Sequence, residues 1–85
     1  MTTTATNNSK KVALSQITVE TSLYWYEYGK NPKGYGSWAF SIGDRSGYRD
    51  ATKAFFTNAM TYREAVKVAK LEAQKKGTTI IHVLP

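Results

Sequence analysis

Residues Thr61 to Gly77 read as one capped, amphipathic helix, and that helix decides most of what the chain can fold into. Thr61 followed three residues later by Glu64 is a capping box, in which each side chain accepts the other residue's backbone N–H. Met60, just ahead of it, is placed to staple against the first turn. Tyr62, Ala65, Val66, Ala69 and Ala73 fall on one stripe at helical spacing. Lys75 and Lys76 sit at the negative end of the helix dipole, and Gly77 supplies a left-handed terminus. A stripe built largely of alanine has little apolar surface of its own. It must therefore lie close against larger side chains, and Trp25, Trp38 and Phe40 are expected to form that floor.

The segments around the helix read as strands. Ile17, Val19, Thr21, Leu23 and Trp25 alternate with Thr18, Glu20, Ser22, Tyr24, Tyr26 and Tyr28, which predicts a first strand over 17–28. Val12 to Ser15 extends it or forms a short strand of its own. Gly29 to Gly34, with Pro32 inside, is a chain reversal. A second strand runs over 35–42, with Trp38, Phe40 and Ile42 on one face and Ser37, Ala39 and Ser41 on the other. After a turn at Gly43 to Gly47, a third strand covers 48–57, with Ala54 and Phe56 inward and Arg49, Lys53 and Phe55 outward. Thr78 to Leu84 is a brief apolar run, read as a final strand. The expected fold is α+β in the order β-β-β-α-β: a three-stranded antiparallel meander packed on one helix, with a short C-terminal strand.

A single domain over 11–85 follows a Thr/Asn-rich tail over 1–10 that is too poor in apolar residues to pack, and is expected to be disordered. The tail lacks the basic start and apolar run of a signal peptide, and no stretch approaches the ~18 apolar residues of a membrane span. With no cysteine, disulfide scaffolds and thiol chemistry are excluded, which suits a reducing cytoplasm.

Catalysis finds little to work with. His82 is the only histidine, and its alternation with Ile80 and Leu84 reads as a strand residue at the domain's edge. Asp44 and Asp50 each neighbour an arginine, Arg45 and Arg49, and read as turn residues with local ion pairing rather than a catalytic carboxylate pair. One histidine and scattered acids make no metal site. Glycines 29, 34 and 36 lead into a strand, not the helix that a phosphate-cradling loop requires. The expectation is a non-enzyme without cofactor or metal.

Charge and aromatics point to binding. The 85 residues carry 12 Lys+Arg against 6 Asp+Glu, a net +6. The excess lies on Lys30, Lys33, Arg45, Arg49 and Lys53, and on the helix residues Arg63, Lys67, Lys70, Lys75 and Lys76, of which Arg63, Lys67 and Lys70 share one flank with Gln74. That flank reads as a solvated face, as a second phosphate-contacting surface, or as the margin of a protein contact centred on Leu71. Tyr24, Tyr26 and Tyr28 would form a stripe on the outer face of the first strand, beside the small residues of the second, with Tyr35 and Tyr48 at the turns. Bases stack on such rings at about 1–3 kcal/mol each, while lysine and arginine hold the phosphates. A sheet can equally enter the major groove of a duplex.

Trp38-Ala39-Phe40-Ser41-Ile42-Gly43-Asp44 resembles the Trp-x-Ala-Glu-Ile-Arg-Asp region of the plant Apetala-type DNA-binding domain. The alanine-rich helix opened by Glu64-Ala65, and Gly77 followed by an apolar run to Pro85, are also similar to that family, as are the arm-binding domains of transposon integrases. The resemblance covers about residues 24–85. It implies a three-stranded sheet on a helix, with the sheet reading the major groove and Trp38 facing DNA. Ser41 and Gly43 stand where the family has glutamate and arginine, and tyrosines replace its first-strand arginines.

The expected function is therefore a non-catalytic nucleic-acid-binding domain. Its site would be Tyr24, Tyr26, Tyr28, Lys30, Lys33, Tyr35, Arg45, Tyr48, Arg49 and Lys53, and its partner DNA or RNA. The alternative is a small inhibitor or adaptor, of phage or mobile-element type, docking on an acidic protein. Homodimerisation through a free sheet edge is a further expectation.

Overall fold

In the computed structural model, which describes residues 12–85, a 3-10 turn (Leu14–Gln16) leads into β1 (Thr18–Glu20), α1 (Ser22–Tyr28), β2 (Tyr35–Gly36) and β3 (Ala39–Ile42). There follow α2 (Ser46–Arg49), a second 3-10 turn (Ala51–Lys53), β4 (Phe55–Phe56), β5 (Met60–Thr61), α3 (Tyr62–Lys76) and β6 (Ile80–Val83). The tail expected over 1–10 lies outside the described residues. The class is α+β.

Helix α3 forms as its sequence dictates. The Thr61 hydroxyl accepts the Glu64 N–H at 3.2 Å, and the Glu64 carboxylate accepts the Thr61 N–H at 3.0 Å. The helix ends at Gly77, whose φ of 71° is left-handed. Ala65, Ala69 and Ala73 have no exposed surface.

The meander does not form. The main sheet has four strands in the order β1-β6-β3-β4, with β1 parallel to β6 and the other pairs antiparallel. Strand β6 is therefore central, inserted between the first and second expected strands. The cause lies in its composition: Ile80, Ile81, Val83 and Leu84 suit a strand covered on both faces, whereas alternating strands leave one face to water. Strands β2 and β5 pair separately as a two-stranded antiparallel sheet.

Register assigns the faces. Val19, Ile81, Ile42, Phe40, Val83 and Phe55 share the face that meets the alanine stripe of α3. Glu20, His82, Ser41, Ala39 and Phe56 share the other, where α1 packs on β6 and α2 on β3. The Ser41 hydroxyl donates to the Asp44 carbonyl and accepts the Gly47 N–H at 3.0 Å. A β-carbon at Gly47 would lie 3.0 Å from the Ala54 Cα and 3.1 Å from the Ser41 hydroxyl, so α2 reaches β3 only because this residue lacks a side chain.

Three expected strands need correction. The first stops at Glu20; residues 22–28 are helical because Tyr24 and Tyr28, one turn apart, pack with ring centroids 4.6 Å apart, and Gly29 ends the turn at φ 66°. Trp25 thus leaves the floor beneath α3 and is half exposed on α1. Val12 to Ser15 leads into a 3-10 turn rather than a strand. The second strand breaks at Ser37 and Trp38. There the Trp38 N–H binds the Thr57 hydroxyl and the indole N–H the Met60 carbonyl, each at 3.1 Å, which ties one sheet to the other. Trp38 is inward, with 8% exposure.

The third strand shrinks to Phe55–Phe56, because Asp44 and Asp50 accept the N–H groups of Ser46 (2.9 Å) and Thr52 (3.0 Å) and start short helical turns. The expected ion pairs with Arg45 and Arg49 are absent; the one salt bridge among the described residues joins Lys76 to Glu72. Phe55 and Phe56 are also reversed: Phe55 pairs with Phe40 and packs on the core, and Phe56 is exposed.

The alanine stripe sets the spacing between helix and sheet. Ala69→Leu is expected to lower the unfolding free energy by roughly 1–3 kcal/mol through overpacking against Phe40 and Ile81. Urea denaturation checks this, and an unchanged midpoint would show that the helix is free to ride outward.

Candidate nucleic-acid interface

The tyrosine stripe is dismantled by α1. At about 100° per residue, Tyr24 and Tyr28 fall on one side of the helix and Tyr26 on the other. Tyr24 is half-buried, 4.6 Å from the Tyr28 ring and 6.1 Å from Trp38, which in turn lies 5.0 Å from Tyr62. Tyr26 is 83% exposed, and among the described rings it pairs only with Trp25, at 6.4 Å. Nor is there a flat sheet face beside these rings, since α1 and α2 cover one face and α3 the other.

What the fold builds instead is a chain of three shallow grooves. The first, about 390 Å³, is lined by Tyr24, Tyr28, Lys33, Tyr35 and Trp38, with Ala39, Leu84 and Pro85 at its inner end. The second, about 220 Å³, shares Ala39, Leu84 and Pro85 and continues to Tyr48, Ala51 and Phe56. The third, about 340 Å³, shares Tyr48 and adds Leu23, Asp44, Arg45 and Arg49. Each groove shares residues with the next, so the three adjoin in sequence, with Tyr48 as the wall between the second and third. Tyr28, Tyr35, Tyr48 and Phe56 are all at least half exposed, and Tyr35 reaches 74%.

The sequence-predicted residues divide accordingly. Tyr24, Tyr28, Lys33, Tyr35, Arg45, Tyr48 and Arg49 line this furrow, whereas Tyr26, Lys30 and Lys53 do not. Lys30 stays in the loop that carries Lys33, and Lys53 ends the second 3-10 turn. Sequence reasoning missed Phe56, Leu84 and Pro85. Pro85 sits at the seam of two grooves only because β6 is central, and no local pattern reports that. Phe56 was legible in principle: one of two adjacent phenylalanines in a strand must face outward.

Charge along the furrow is uneven. Lys33 stands at one end, and Arg45 and Arg49 at the other, opposed by Asp44. The Ser46 hydrogen bonds hold the Asp44 carboxyl below the usual carboxylate range, so it stays ionised beside the arginines. Beneath this end lies His82, which is not at an edge but in the central strand, with 6% exposure. It faces Glu20 on β1 and Ser41 on β3, and its buried Nδ1 has no hydrogen-bond partner. Burial, and then the Arg45 guanidinium, hold the imidazole below its ordinary value, while Glu20 and Asp44 pull weakly the other way.

No protein-family model, curated protein or solved structure matches this chain. Among the described residues, no helix is long and apolar enough to cross a membrane.

His82 makes stability pH-dependent in a window of its own. Its folded pKa lies below the unfolded value of 6.5, so the folded state prefers the neutral ring. Stability is therefore complete above about pH 6.5 and declines as pH falls toward the folded value. Glu20, Asp44, Asp50 and Glu64 are shifted below 4.5 or 3.8 and lose their contributions only in stronger acid. Thermal melts should show a midpoint that falls as the pH drops below about 6.5, a fall that His82→Gln flattens. An identical pH profile in the variant would rule the histidine out as its source.

Proposed function

We propose that this chain is a non-catalytic nucleic-acid-binding domain that holds a single strand in the furrow between α1 and α2. The observation that carries the reading is the run of exposed rings, Tyr28, Tyr35, Tyr48 and Phe56, along adjoining grooves with Lys33 at one end and Arg45 and Arg49 at the other.

Stacking needs a ring face that solvent can reach and a base that is not already stacked in a duplex. Each such contact supplies about 1–3 kcal/mol, largely without regard to base identity. Lysine and arginine supply a term that weakens with salt, as counterions compete for the phosphates. Insertion of the sheet into a major groove is not part of this proposal, because helices lie on both of its faces. The net +6 of the chain favours a polyanion in general, and the ring-lined furrow favours a single strand in particular.

The test is fluorescence anisotropy with a labelled oligothymidylate and with a duplex of equal length, over a salt series. The single strand should bind more tightly. Tyr35→Ala and Phe56→Ala should each weaken it by about fivefold to a hundredfold, from the stacking energy above. Tyr26→Ala should leave it unchanged, because Tyr26 lies outside the furrow. Lys33→Ala should reduce the slope of log affinity against log salt by about 0.7, the value for one single-strand phosphate. Absence of binding at low salt, or an equal loss in the Tyr26 and Tyr35 variants, would sink the proposal.

A further inference from the structure

A second surface of different chemistry lies along α3 and shares no residue with the ring-lined grooves, and it does not depend on the nucleic-acid reading. A furrow of about 280 Å³ runs between the Leu14 turn and α3, lined by Leu14, Arg63, Val66, Lys67 and Lys70. Its floor is apolar: Leu14 and Val66 are partly buried and pack on the core. Its rim is cationic. At the helical repeat, Arg63, Lys67 and Lys70 fall within about 60° of one another, spaced roughly 6 Å and 10 Å along the axis from Arg63.

Among the described residues no carboxylate forms a salt bridge with this ridge. Of the two acids on α3, Glu64 is held by Thr61 in the capping box, and Glu72 lies 3.8 Å from Lys76 on the other flank. Arg63 and Lys67 are exposed and Lys70 is partly so. Both walls are fixed: the Gln74 side chain donates to the Val12 carbonyl at 2.8 Å, and the Gln16 side chain accepts the Ala13 N–H at 3.0 Å. The segment carrying Leu14 is thereby fastened to the helix.

We propose that this furrow docks an acidic segment of a partner protein, one with an aliphatic side chain set between its carboxylates. Charge complementarity selects the carboxylates, and the Leu14–Val66 floor selects the aliphatic group. Residues 1–11 contain no Asp or Glu, so the carboxylates that complement the ridge are not theirs. A nucleic-acid backbone would satisfy the cations but leave the apolar floor against sugar and phosphate, and this furrow has no ring for a base to stack on.

The probe is a fluorescein-labelled peptide with three glutamates on either side of one leucine, compared with the same peptide carrying glycine at the centre. Anisotropy should show the leucine peptide bound several-fold more tightly than the glycine peptide, from partial burial of the leucine. Arg63→Glu with Lys67→Glu should weaken the leucine peptide about tenfold or more, as two attractive contacts become repulsive. Lys75→Glu with Lys76→Glu makes the same change in net charge away from the ridge and should have a much smaller effect. Leu14→Ser, with its fold checked by circular dichroism, should erase the difference between the peptides; the peptide pair decides the matter even if that variant unfolds. The proposal is overturned if neither peptide binds at low salt, if both bind alike, or if the two charge-reversed proteins weaken alike. It is also overturned if the Arg63/Lys67 reversal weakens an oligothymidylate while leaving the peptide unchanged, which would assign the ridge to nucleic acid.

Discussion

Close contact between the alanine stripe of α3 and the face of Phe40, Ile81 and Val83 is the interaction on which the rest of the structure rests. Ala65, Ala69, Ala73, Phe40, Ile81 and Val83 are all without exposed surface. Small side chains on the helix bring its backbone near the sheet, and the large ones on the sheet fill the space. The other face then has to be covered by short pieces, because most of the chain's apolar residues are already committed. Helix α1 and the four-residue α2 are those pieces. The gap left between them is the ring-lined furrow, so the candidate site is a by-product of how the core divides the available side chains.

The parts of the fold that were legible in sequence are those with local causes. Thr61, Glu64 and Gly77 specify the ends of α3 through bonds within a few residues, and the helix appears between them. The reversal after Tyr28 and the strand character of 80–83 were legible for the same reason. Residues 22–28 were not. Tyr24, Tyr26 and Tyr28 satisfy a period of two, yet Tyr24 and Tyr28 also satisfy the i, i+4 relation, and Trp38 supplies the partner that favours the second. That partner is distant in sequence. The central place of β6 was hidden in a related way: an apolar run of four or five residues announces burial, but not which neighbours it will pair with.

Much the same division holds for the site. The residue types on which a binding reading rests are visible in sequence, because exposed tyrosine beside lysine and arginine has the same chemistry in any fold. Their grouping was read from the wrong element. Tyr28, Lys33 and Tyr35 come together because a turn joins α1 to β2, and Tyr48 reaches Phe56 because Gly47 lets α2 descend onto Ser41. Tyr26, the central member of the expected stripe, points away from both.

The parallel pairing of β1 with β6 has a consequence for how the molecule is made. The strand that completes the middle of the sheet is synthesised after all of the strands it joins. Until it emerges, β1 has no partner, β3 can pair only with two-residue β4, and the alanine stripe has neither Ile81 nor Val83 to rest on. Loop closure between residues 18 and 80 must precede most of the stabilising contacts, a topology that slows folding. A nascent chain would expose Phe40 and Phe55 until residues 80–83 emerge, and would then acquire its sheet and both faces of its core in a single step.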